Sequence, residues 1–326
     1  MNKSVVIGKT GGTEVMEIQG LEDLSKADPA PDEVLIRHTA IGLNFIDICY
    51  RKGIYQNPLP FTPGTEAVGV IEKLGNNVLN LKVDDRVVYC TVKTGAYCQR
   101  RLIDQNYLIK VPDEVPDKQA ASTMKGLTAH YLLKRAYLAR SESSILVSAA
   151  AGGVGHILCQ WAAHIGCTVI GAVGSKEKEG FAKKHGCQHV LTYEDPDFVE
   201  KVMDITKNEG VAAAYDSVGE TTYDKFFRSL GMFGIYISYG ASSGPIPAFD
   251  MMKVIESRSL FVTRPSIYHY KEQKFELNIS ALELFEMMKQ GNIMVHVDKE
   301  YSIDEIKKAH QDLEARKIVG SGVILL

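Results

Sequence analysis

A glycine-rich stretch in the middle of the chain has the composition of a phosphate-binding turn. Residues 148–155 read SAAAGGVG and directly follow the apolar run Ile145–Val147. Aligned on the spacing G-x-G-x-x-G, the stretch presents Ala150, Gly152 and Gly155, with alanine in place of the first glycine. Gly152 would let the backbone approach a pyrophosphate, and Gly155 would let the next helix pack closely on the strand. Because a helix N-terminus supplies unpaired N–H groups and a positive dipole end, the stretch predicts a dinucleotide site rather than a plain turn.

The residues about 20 positions further on decide which dinucleotide fits. A site specific for NAD places a carboxylate at the end of the second strand, where it binds the ribose hydroxyls. Here that strand ends in Gly174 and Ser175. The nearest acid, Glu177, lies beyond it between Lys176 and Lys178. A hydroxyl and a lysine favour a 2′-phosphate that a carboxylate would repel, so we predict NADPH, with Lys178 as the main phosphate ligand and Lys176 as a rival.

The rhythm of apolar runs divides the chain into two parts. Up to about residue 125, short strand-like runs alternate with turn signals, which is typical of a β-rich domain. From about residue 126, strand and helix patterns alternate five times, which predicts a parallel, doubly wound sheet of the Rossmann type. Two further helices and a final strand follow Pro265. We therefore predict an α/β protein in which a nucleotide-binding domain, from about residue 126 to residue 264, is inserted into, or followed by a tail of, a different fold.

Composition and charge argue against several other classes of protein. The chain has 326 residues, of which 45% are hydrophobic and 24% charged, with a net charge of −3. These values are typical of a soluble globular protein and give no reason to expect a nucleic acid or an anionic membrane as partner. No apolar run reaches the roughly 18 residues of a membrane span, and the N-terminus lacks a signal-peptide pattern, so we expect a cytoplasmic protein. The six cysteines have no metal-ligand spacing, so we expect free thiols and no bound metal.

Seven short segments, spread over nearly the whole chain, follow one another in the order typical of a known family. They are Gly42–Asp47, Pro63–Glu66, Asp85–Val87, Lys125–Ala129, the stretch 148–155, Tyr215–Gly219 and Val262–Pro265. Together they resemble the zinc-free quinone oxidoreductases, the ζ-crystallin-like group of the medium-chain dehydrogenase/reductase superfamily. The resemblance implies a GroES-like β-rich catalytic domain of residues 1–125, completed by the C-terminal residues 265–326, and a Rossmann domain of residues 126–264 that binds NADPH.

The resemblance also implies a set of site residues. Asn44, Tyr55 and Thr65 would line the catalytic cleft near the nicotinamide. The cofactor would be bound by Lys125, Thr128, Gly152, Gly153, Val154, Gly174, Ser175, Lys178, Tyr193, Ser217, Tyr239, Gly240, Thr263 and Arg316. Relatives often have a tyrosine where this chain has Cys49, followed here by Tyr50. On a helix this shift rotates the tyrosine side chain by about 100°, so the sequence does not determine the shape of the quinone pocket.

The resemblance accounts for the missing metal ligands as well. Zinc-dependent relatives carry a cysteine and a histidine in the neighbourhoods of Asn44 and Thr65, and amide and hydroxyl groups are poor zinc ligands. Without a Lewis acid, the expected acceptors are already electrophilic, namely quinones and activated alkenes rather than simple alcohols. Two alternatives stay open. One is a 2-alkenal or enoyl double-bond reductase, with Tyr55 as a candidate proton donor. The other is a non-enzymatic binding role, although the net negative charge disfavours RNA.

The apolar run Leu260–Val262 is expected at an edge of the Rossmann sheet. An exposed edge strand invites pairing with a second copy of the chain. The resemblance also implies dimers, so we expect a homodimer or a dimer of dimers.

Overall fold

The computed structural model describes residues 2–21, 23–91, 93–250, 252, 258–271 and 274–326. The chain forms two compact units: the first is Met1–Met124, Gln273–Lys289 and Val295–Leu326, and the second is Lys125–Glu272 and Gln290–Met294. Residues 265–272 and 290–294 thus fall in the second unit, whereas the sequence-based division assigned them to the catalytic domain. Two contacts explain the difference. The Tyr270 ring stacks on Tyr131 at 4.7 Å, and the Gln160 amide binds the backbone N–H and C=O of Met294 at 2.9 and 3.1 Å.

The N-terminal part of the first unit is rich in β-strands. Its strands are β1 (Asn2–Ile7), β2 (Met16–Leu21), β3 (Glu33–Gly42), β4 (Glu66–Leu74), β5 (Arg86–Cys90), β6 (Arg100–Asp104) and β7 (Leu108–Lys110). Its helices are α1 (Phe45–Arg51), α2 (Asp117–Ala120) and the start of α3 (Thr123–Tyr131), which continues into the second unit. The long strand β3 pairs antiparallel with both β4 and β6, and β1 pairs antiparallel with β2. Helix α1 therefore leaves directly from the end of a central strand.

The second unit is the predicted parallel sheet with helices between its strands. Its strands are β8 (Ser144–Val147), β9 (Thr168–Val173), β10 (His189–Thr192), β11 (Val211–Asp216), β12 (Leu230–Ser238) and β13 (Phe261–Thr263). Its helices are α4 (Gly155–Ile165), α5 (Glu179–Lys184), α6 (Phe198–Ile205), α7 (Tyr223–Arg228) and α8 (Ile267–Lys271). All pairs are parallel, in the order β10-β9-β8-β11-β12-β13. Strand β8 lies inside this sheet, and Ile145, Leu146 and Val147 are fully buried, which explains its continuous apolar run.

The C-terminal elements of the first unit complete its larger sheet. They are α9 (Lys274–Lys289), β14 (Val297–Ser302), α10 (Ile306–Glu314) and β15 (Ser321–Leu325). Strand β15 pairs antiparallel with β3 and parallel with β14, so the chain end extends a seven-stranded sheet begun near the N-terminus. All six cysteines are free thiols. Within the described ranges, every helix is too short or too polar to cross a bilayer.

Candidate active site

The turn between β8 and α4 is shaped by two of its three glycines, Gly152 and Gly155. Ala149 adopts a left-handed φ of 46°, and its carbonyl accepts a hydrogen bond from Gly152 N–H at 2.7 Å. A Cβ on Gly155 would lie 2.1 Å from the Ala149 oxygen, a distance no side chain tolerates. A Cβ on Gly152 would lie 3.1 Å from the same oxygen. The close backbone packing expected of Gly155 is therefore present.

The same turn has partly exposed residues next to the start of α4. Gly152, Gly153 and Val154 are partly exposed, whereas Ala151 and Gly155 on either side are buried. Helix α4 begins at Gly155 and runs for 11 residues. Since the first N–H groups of a helix have no partner within it, this end suits an anion such as a pyrophosphate.

Most of the predicted cofactor residues of the second unit gather at one edge of the parallel sheet. Gly174 and Ser175 follow β9, Tyr193 follows β10, and Ser217 follows β11. Tyr239 and Gly240 follow β12, and Thr263 is the last residue of β13. Side chains join these ends: the Ser148 and Ser217 hydroxyls are 3.2 Å apart, and Ala149 N–H donates to the Tyr193 hydroxyl. This edge is where open α/β sheets bind ligands.

The end of β9 carries the groups predicted to bind the 2′-phosphate. Gly174 is exposed, and a Cβ placed on it would meet nothing within 4 Å. Ser175 continues with an extended φ of −159°, and Lys178 closes the following helical turn. The Glu177 carboxylate accepts a hydrogen bond from the Ser175 side chain, which lowers the pKa of Glu177. An acid therefore reaches back to the strand end, a feature that the spacing of residues did not predict.

Three predicted cofactor residues belong to other parts of the chain. Lys125 and Thr128 belong to α3, where Lys125 is buried. Arg316 belongs to the first unit and follows α10 with a left-handed φ of 57°. The roles of these three residues toward a cofactor stay predictions.

In the first unit, Asn44 and Thr65 lie in a buried polar cluster. Asn44 precedes α1, and its amide donates to Glu66 Oε2 at 2.9 Å. Thr65 precedes β4, and its hydroxyl donates to Asp47 Oδ1 at 3.0 Å. Asn44 is 6% exposed and Thr65 is fully buried. The two side chains are thus held by neighbouring carboxylates, and sequence reasoning named neither Glu66 nor Asp47 as a site residue.

Tyr55 lies outside this buried cluster. Its side chain is 44% exposed, and its ring packs edge-on against Tyr50, with the ring centres 5.8 Å apart. Cys49 is half-buried, and burial raises the pKa of its thiol. The one-residue shift of the tyrosine therefore places an aromatic pair, Tyr50 and Tyr55, at the end of α1.

The cluster continues inward through residues that no sequence signal indicated. The Tyr97 hydroxyl donates to Asp47 Oδ2 at 3.1 Å and lies 3.0 Å from His310 Nε2. His310 is on α10, more than 200 positions away in the sequence, so spacing could not connect it to Asp47. In the part of the chain that the structure describes, no group of three histidine, cysteine or acidic side chains is arranged to hold a metal ion.

Comparison with known proteins places both units in one superfamily. Residues 30–136 match the family described as alcohol dehydrogenase GroES-like domain, and residues 153–282 match the one described as zinc-binding dehydrogenase. A quinone oxidoreductase of Pseudomonas aeruginosa is 38% identical over 327 residues, covering 100% of both chains. A 2-haloacrylate reductase of Burkholderia is also 38% identical, covering 100% of this chain and 99% of the relative.

A solved structure extends the likeness to the whole fold. The crystal structure of Escherichia coli quinone oxidoreductase complexed with NADPH superposes with a TM-score of 0.95 at 37% identity, covering 99% of this chain and 100% of the other. The GroES-like and Rossmann-like architecture expected from the sequence is therefore confirmed. With such matches along its whole length, this chain belongs to the quinone oxidoreductase family of the medium-chain dehydrogenase/reductase superfamily.

Proposed function

We propose that this protein is an NADPH-dependent quinone oxidoreductase that works without a metal ion. The single observation that carries the proposal is the glycine turn before α4 at the carboxyl edge of the parallel sheet. It occurs in a chain 38% identical over its full length to a quinone oxidoreductase. When bound, NADPH supplies a hydride from its dihydronicotinamide ring to an electrophilic acceptor. The protein's own residues bind, orient and shield the reacting groups.

The second unit holds the cofactor in this proposal. The partly exposed residues Gly152, Gly153 and Val154 bind the pyrophosphate at the start of α4. Ser175 and Lys178 bind the 2′-phosphate beside Gly174, where the space within 4 Å of a Cβ position is open. Ser217, Tyr239, Gly240 and Thr263 follow or end neighbouring strands and extend the crevice.

The first unit contributes the residues that face the acceptor. Asn44 and Tyr55 orient the quinone, together with Thr65, which is fully buried. A zinc ion does not fit this donor set. The Asn44 amide and the Thr65 hydroxyl already donate to Glu66 and Asp47, and neither group matches thiolate or imidazole as a zinc ligand.

A double-bond reductase is the second candidate. The 38% identity to a 2-haloacrylate reductase over the full length supports it specifically, because that relative is named for an activated alkene. Both reactions deliver a hydride to an electrophilic acceptor, so the fold alone does not distinguish them.

A screen of steady-state NADPH oxidation tests the proposal. We expect turnover with ortho- or para-quinones and none with ethanol-like alcohols and NADP⁺, and elemental analysis should find well under one zinc per chain. Turnover with enals but not with quinones would favour the double-bond reductase. Stoichiometric zinc that is lost together with activity on chelation would contradict the metal-free mechanism.

The remaining parts of the proposal concern assembly, location and the division of labour. We propose that residues 1–125 and 265–326 contribute to catalysis and residues 126–264 to nucleotide binding, with 265–272 and 290–294 packed in the second unit. We propose a homodimer formed through the edge strand β13, where Phe261 is 59% and Val262 40% exposed. Six free thiols are consistent with a reducing, cytoplasmic location.

A further inference from the structure

A continuous series of buried, hydrogen-bonded polar side chains lies next to Asn44 in the first unit. It starts at the Thr65 hydroxyl, passes through the Asp47 carboxylate and the Tyr97 hydroxyl, and reaches His310. Arg51 then lies 3.1 Å from His310 Nδ1 through Nη1 and donates to Glu314 at 2.8 Å through Nη2. Thr65, Asp47, Arg51 and His310 are all fully buried.

Among the titratable side chains Asp47, Tyr97 and His310 of this hydrogen-bonded series, Asp47 has the pKa that lies nearest to neutral pH. Its carboxylate accepts from Thr65 at 3.0 Å, Tyr97 at 3.1 Å and Asn44 N–H at 3.2 Å. Complete burial raises the pKa of Asp47 to about 7, although these three donors lower it, and the nearby charge of Glu66 raises it further.

The neighbouring titratable groups Tyr97 and His310 do not exchange protons with Asp47 at neutral pH. Cys49, Arg51 and Lys52 follow on the same helix, Glu66 lies on β4, and Tyr97, His310 and Glu314 come from the loop before β6 and from α10. Burial raises the pKa of Tyr97 well above its usual value. Burial and the adjacent Arg51 lower the pKa of His310 to about 3.

At the Arg51 end of this series, each hydrogen bond has a fixed donor and a fixed acceptor. The Arg51 guanidinium is permanently charged and only donates, so His310 accepts at Nδ1 and, being neutral, carries its hydrogen on Nε2. That Nε2–H donates to the Tyr97 oxygen, and Tyr97 in turn donates to Asp47. Arg51 has no acceptor, and His310, with its pKa lowered to about 3, does not take up a second proton at neutral pH, so a proton held by Asp47 leaves toward Thr65 rather than through Tyr97.

Thr65 has two hydrogen-bonding states, set by the charge of Asp47. When Asp47 is ionised, the Thr65 hydroxyl donates to Oδ1, as the 3.0 Å contact allows. When Oδ1 carries a proton, Asp47 donates to the Thr65 oxygen instead, and the hydrogen of Thr65 is released from the carboxylate. The other neighbour of this hydroxyl is the Met124 sulfur at 4.0 Å, a weak acceptor on a flexible side chain.

We propose that Asp47 stores the proton that quinone reduction consumes and that it passes this proton through Thr65 to the reduced quinone. The inference rests on the proposed function. Hydride transfer turns a quinone into a quinol anion, the Thr65 O–H bond then breaks as a new O–H forms on that anion, and Thr65 regains a proton from Asp47 Oδ1. Asp47 is left as a carboxylate with its three donors, and once the quinol has left, it takes one proton from solvent back through Thr65 before the next turnover. The sum is quinone, NADPH and H⁺ giving quinol and NADP⁺.

The relay requires Met124 to move. Thr65 is fully buried, and its hydroxyl becomes reachable only when the unbranched Met124 side chain swings aside as the acceptor enters. In this scheme Thr65 touches the substrate, and Asp47 acts through it.

A spectroscopic titration tests the proton store without cofactor or substrate. Infrared spectra of the purified protein should show a protonated-carboxyl band that disappears as the pH rises through about 7 and is absent from Asp47→Asn. Asp312→Asn is the matched control. Asp312 is also buried and bound to a tyrosine, at 2.9 Å from Tyr301, but hydrogen bonds from Lys299 and Tyr301 lower its pKa. The control should keep the band, and a wild type without a band assigned to Asp47 contradicts the proposal.

A pair of quinones tests the relay. Tetramethyl-1,4-benzoquinone gives a quinol anion that needs a proton at pH 7, whereas tetrachloro-1,4-benzoquinone gives an acidic quinol that leaves as the anion. We expect Asp47→Asn and Thr65→Val to lower kcat for the tetramethyl quinone by about 100-fold or more, and much less for the tetrachloro quinone. Thr65→Ser should restore most of the loss, and the wild-type kcat for the tetramethyl quinone should fall above pH 7.

The outcomes separate the two proposals. A wild type active on both quinones, with variants that lose equally on both, contradicts the relay and leaves the proposed function standing. A wild type that reduces no quinone contradicts the proposed function and the relay together. If Asp47→Asn does not fold, the contrast between Thr65→Val and Thr65→Ser decides.

Discussion

At the scale of single residues, the end of β9 combines opposite charges in a small space. Lys178 is partly buried after the exposed Gly174, and the Glu177 carboxylate accepts from the Ser175 side chain. A 2′-phosphate would therefore meet one favourable cation and compete with one carboxylate for the serine. Cofactor preference depends on the balance between these two side chains.

Replacing Lys178 should weaken NADPH specifically. A charge-assisted hydrogen bond to phosphate contributes roughly 1.5–3 kcal/mol, which corresponds to about a ten- to hundredfold change in affinity. We expect Lys178→Ala to raise the Kd of NADPH by that factor and to change the Kd of NADH little, as measured by fluorescence titration. Lys176→Ala is the matched control, since Lys176 is exposed in the same helical turn. Equal losses for both cofactors would show that Lys178 acts through folding, and a wild type that prefers NADH would overturn the assignment.

Replacing Glu177 should have the opposite effect. Glu177→Gln removes a negative charge and weakens the hydrogen bond that now holds the Ser175 hydroxyl, because an amide oxygen is a poorer acceptor than a carboxylate. We expect tighter NADPH binding, by about a few-fold because Glu177 is solvent-exposed, with NADH unchanged or weaker. Calorimetric titration of both cofactors measures the ratio. An unchanged ratio would place the phosphate away from Ser175.

At the scale of elements, the junction of β8 and α4 depends on backbone that almost touches backbone. The carbonyl of Ala149 lies where a Cβ on Gly155 would be, at 2.1 Å. Strand and helix therefore meet at a distance only glycine permits, and the helix N-terminus is held beside the strand ends.

A matched pair of glycine substitutions tests this junction. Gly155→Ala forces the turn apart, so we expect the free energy of unfolding to fall by about 1–3 kcal/mol or more, together with loss of NADPH binding. Gly174→Ala should leave the unfolding free energy nearly unchanged, because nothing lies within 4 Å of the added Cβ. Urea denaturation of both variants measures the difference. Equal stability of the two proteins would mean that the turn relaxes without cost.

The edge strand β13 exposes apolar side chains that a partner copy would cover. Phe261 is 59% exposed, and β13 pairs with β12 at the end of the sheet order. We expect the wild type to sediment as a dimer or larger at micromolar concentration and Phe261→Lys to sediment as a 36.0 kDa monomer. Leu79→Lys is the control, because Leu79 is 85% exposed in the first unit. A monomeric wild type would contradict the proposed assembly.

At the scale of the whole molecule, buried histidines should make the free energy of unfolding fall as the pH is lowered. His38 is 2% exposed, its Nδ1–H donates to Cys98 C=O at 2.7 Å, and its Nε2 accepts from the Tyr89 hydroxyl at 3.0 Å. Burial lowers the pKa of His38 to about 4 from 6.5. The unfolded chain therefore binds a proton that the folded protein does not, and the stabilisation present above pH 6.5 is lost as the pH falls toward 4.

Acidification from pH 7 to pH 4 should therefore cost about 3 kcal/mol through His38 alone. His38→Gln retains a donor and an acceptor but does not titrate, so its Tm should fall less over the same range. Comparing the two proteins separates His38 from Asp47, whose raised pKa acts in the opposite direction and reduces stability as the pH rises toward 7. Parallel Tm curves for the two proteins would contradict the role assigned to His38.

The sequence alone was enough for the features that local pattern controls. The alternation of apolar strands and helices predicted the parallel sheet, and the glycine spacing placed the turn before α4, because both depend on residues close together in the chain. The family segments identified the superfamily in the same way. The unit to which each C-terminal segment belongs was harder to predict. The stacking of Tyr270 on Tyr131 and the hydrogen bonds between Gln160 and Met294 assign residues near 270 and 290 to the second unit.

Only the tertiary structure revealed the polar chain from Thr65 to Arg51. Thr65, Asp47, Tyr97 and His310 come from four separate stretches that meet when α10 packs in the first unit, and no spacing in the sequence connects them. Burial then sets the proton affinity of Asp47, because its pKa depends on the loss of water and on the donors that folding brings to it. The same holds for Glu177, whose sequence position between two lysines did not reveal that its carboxylate turns back to Ser175. Sequence pattern therefore determined which elements form, whereas the charges and hydrogen bonds of the site followed from contacts that exist only in the folded chain.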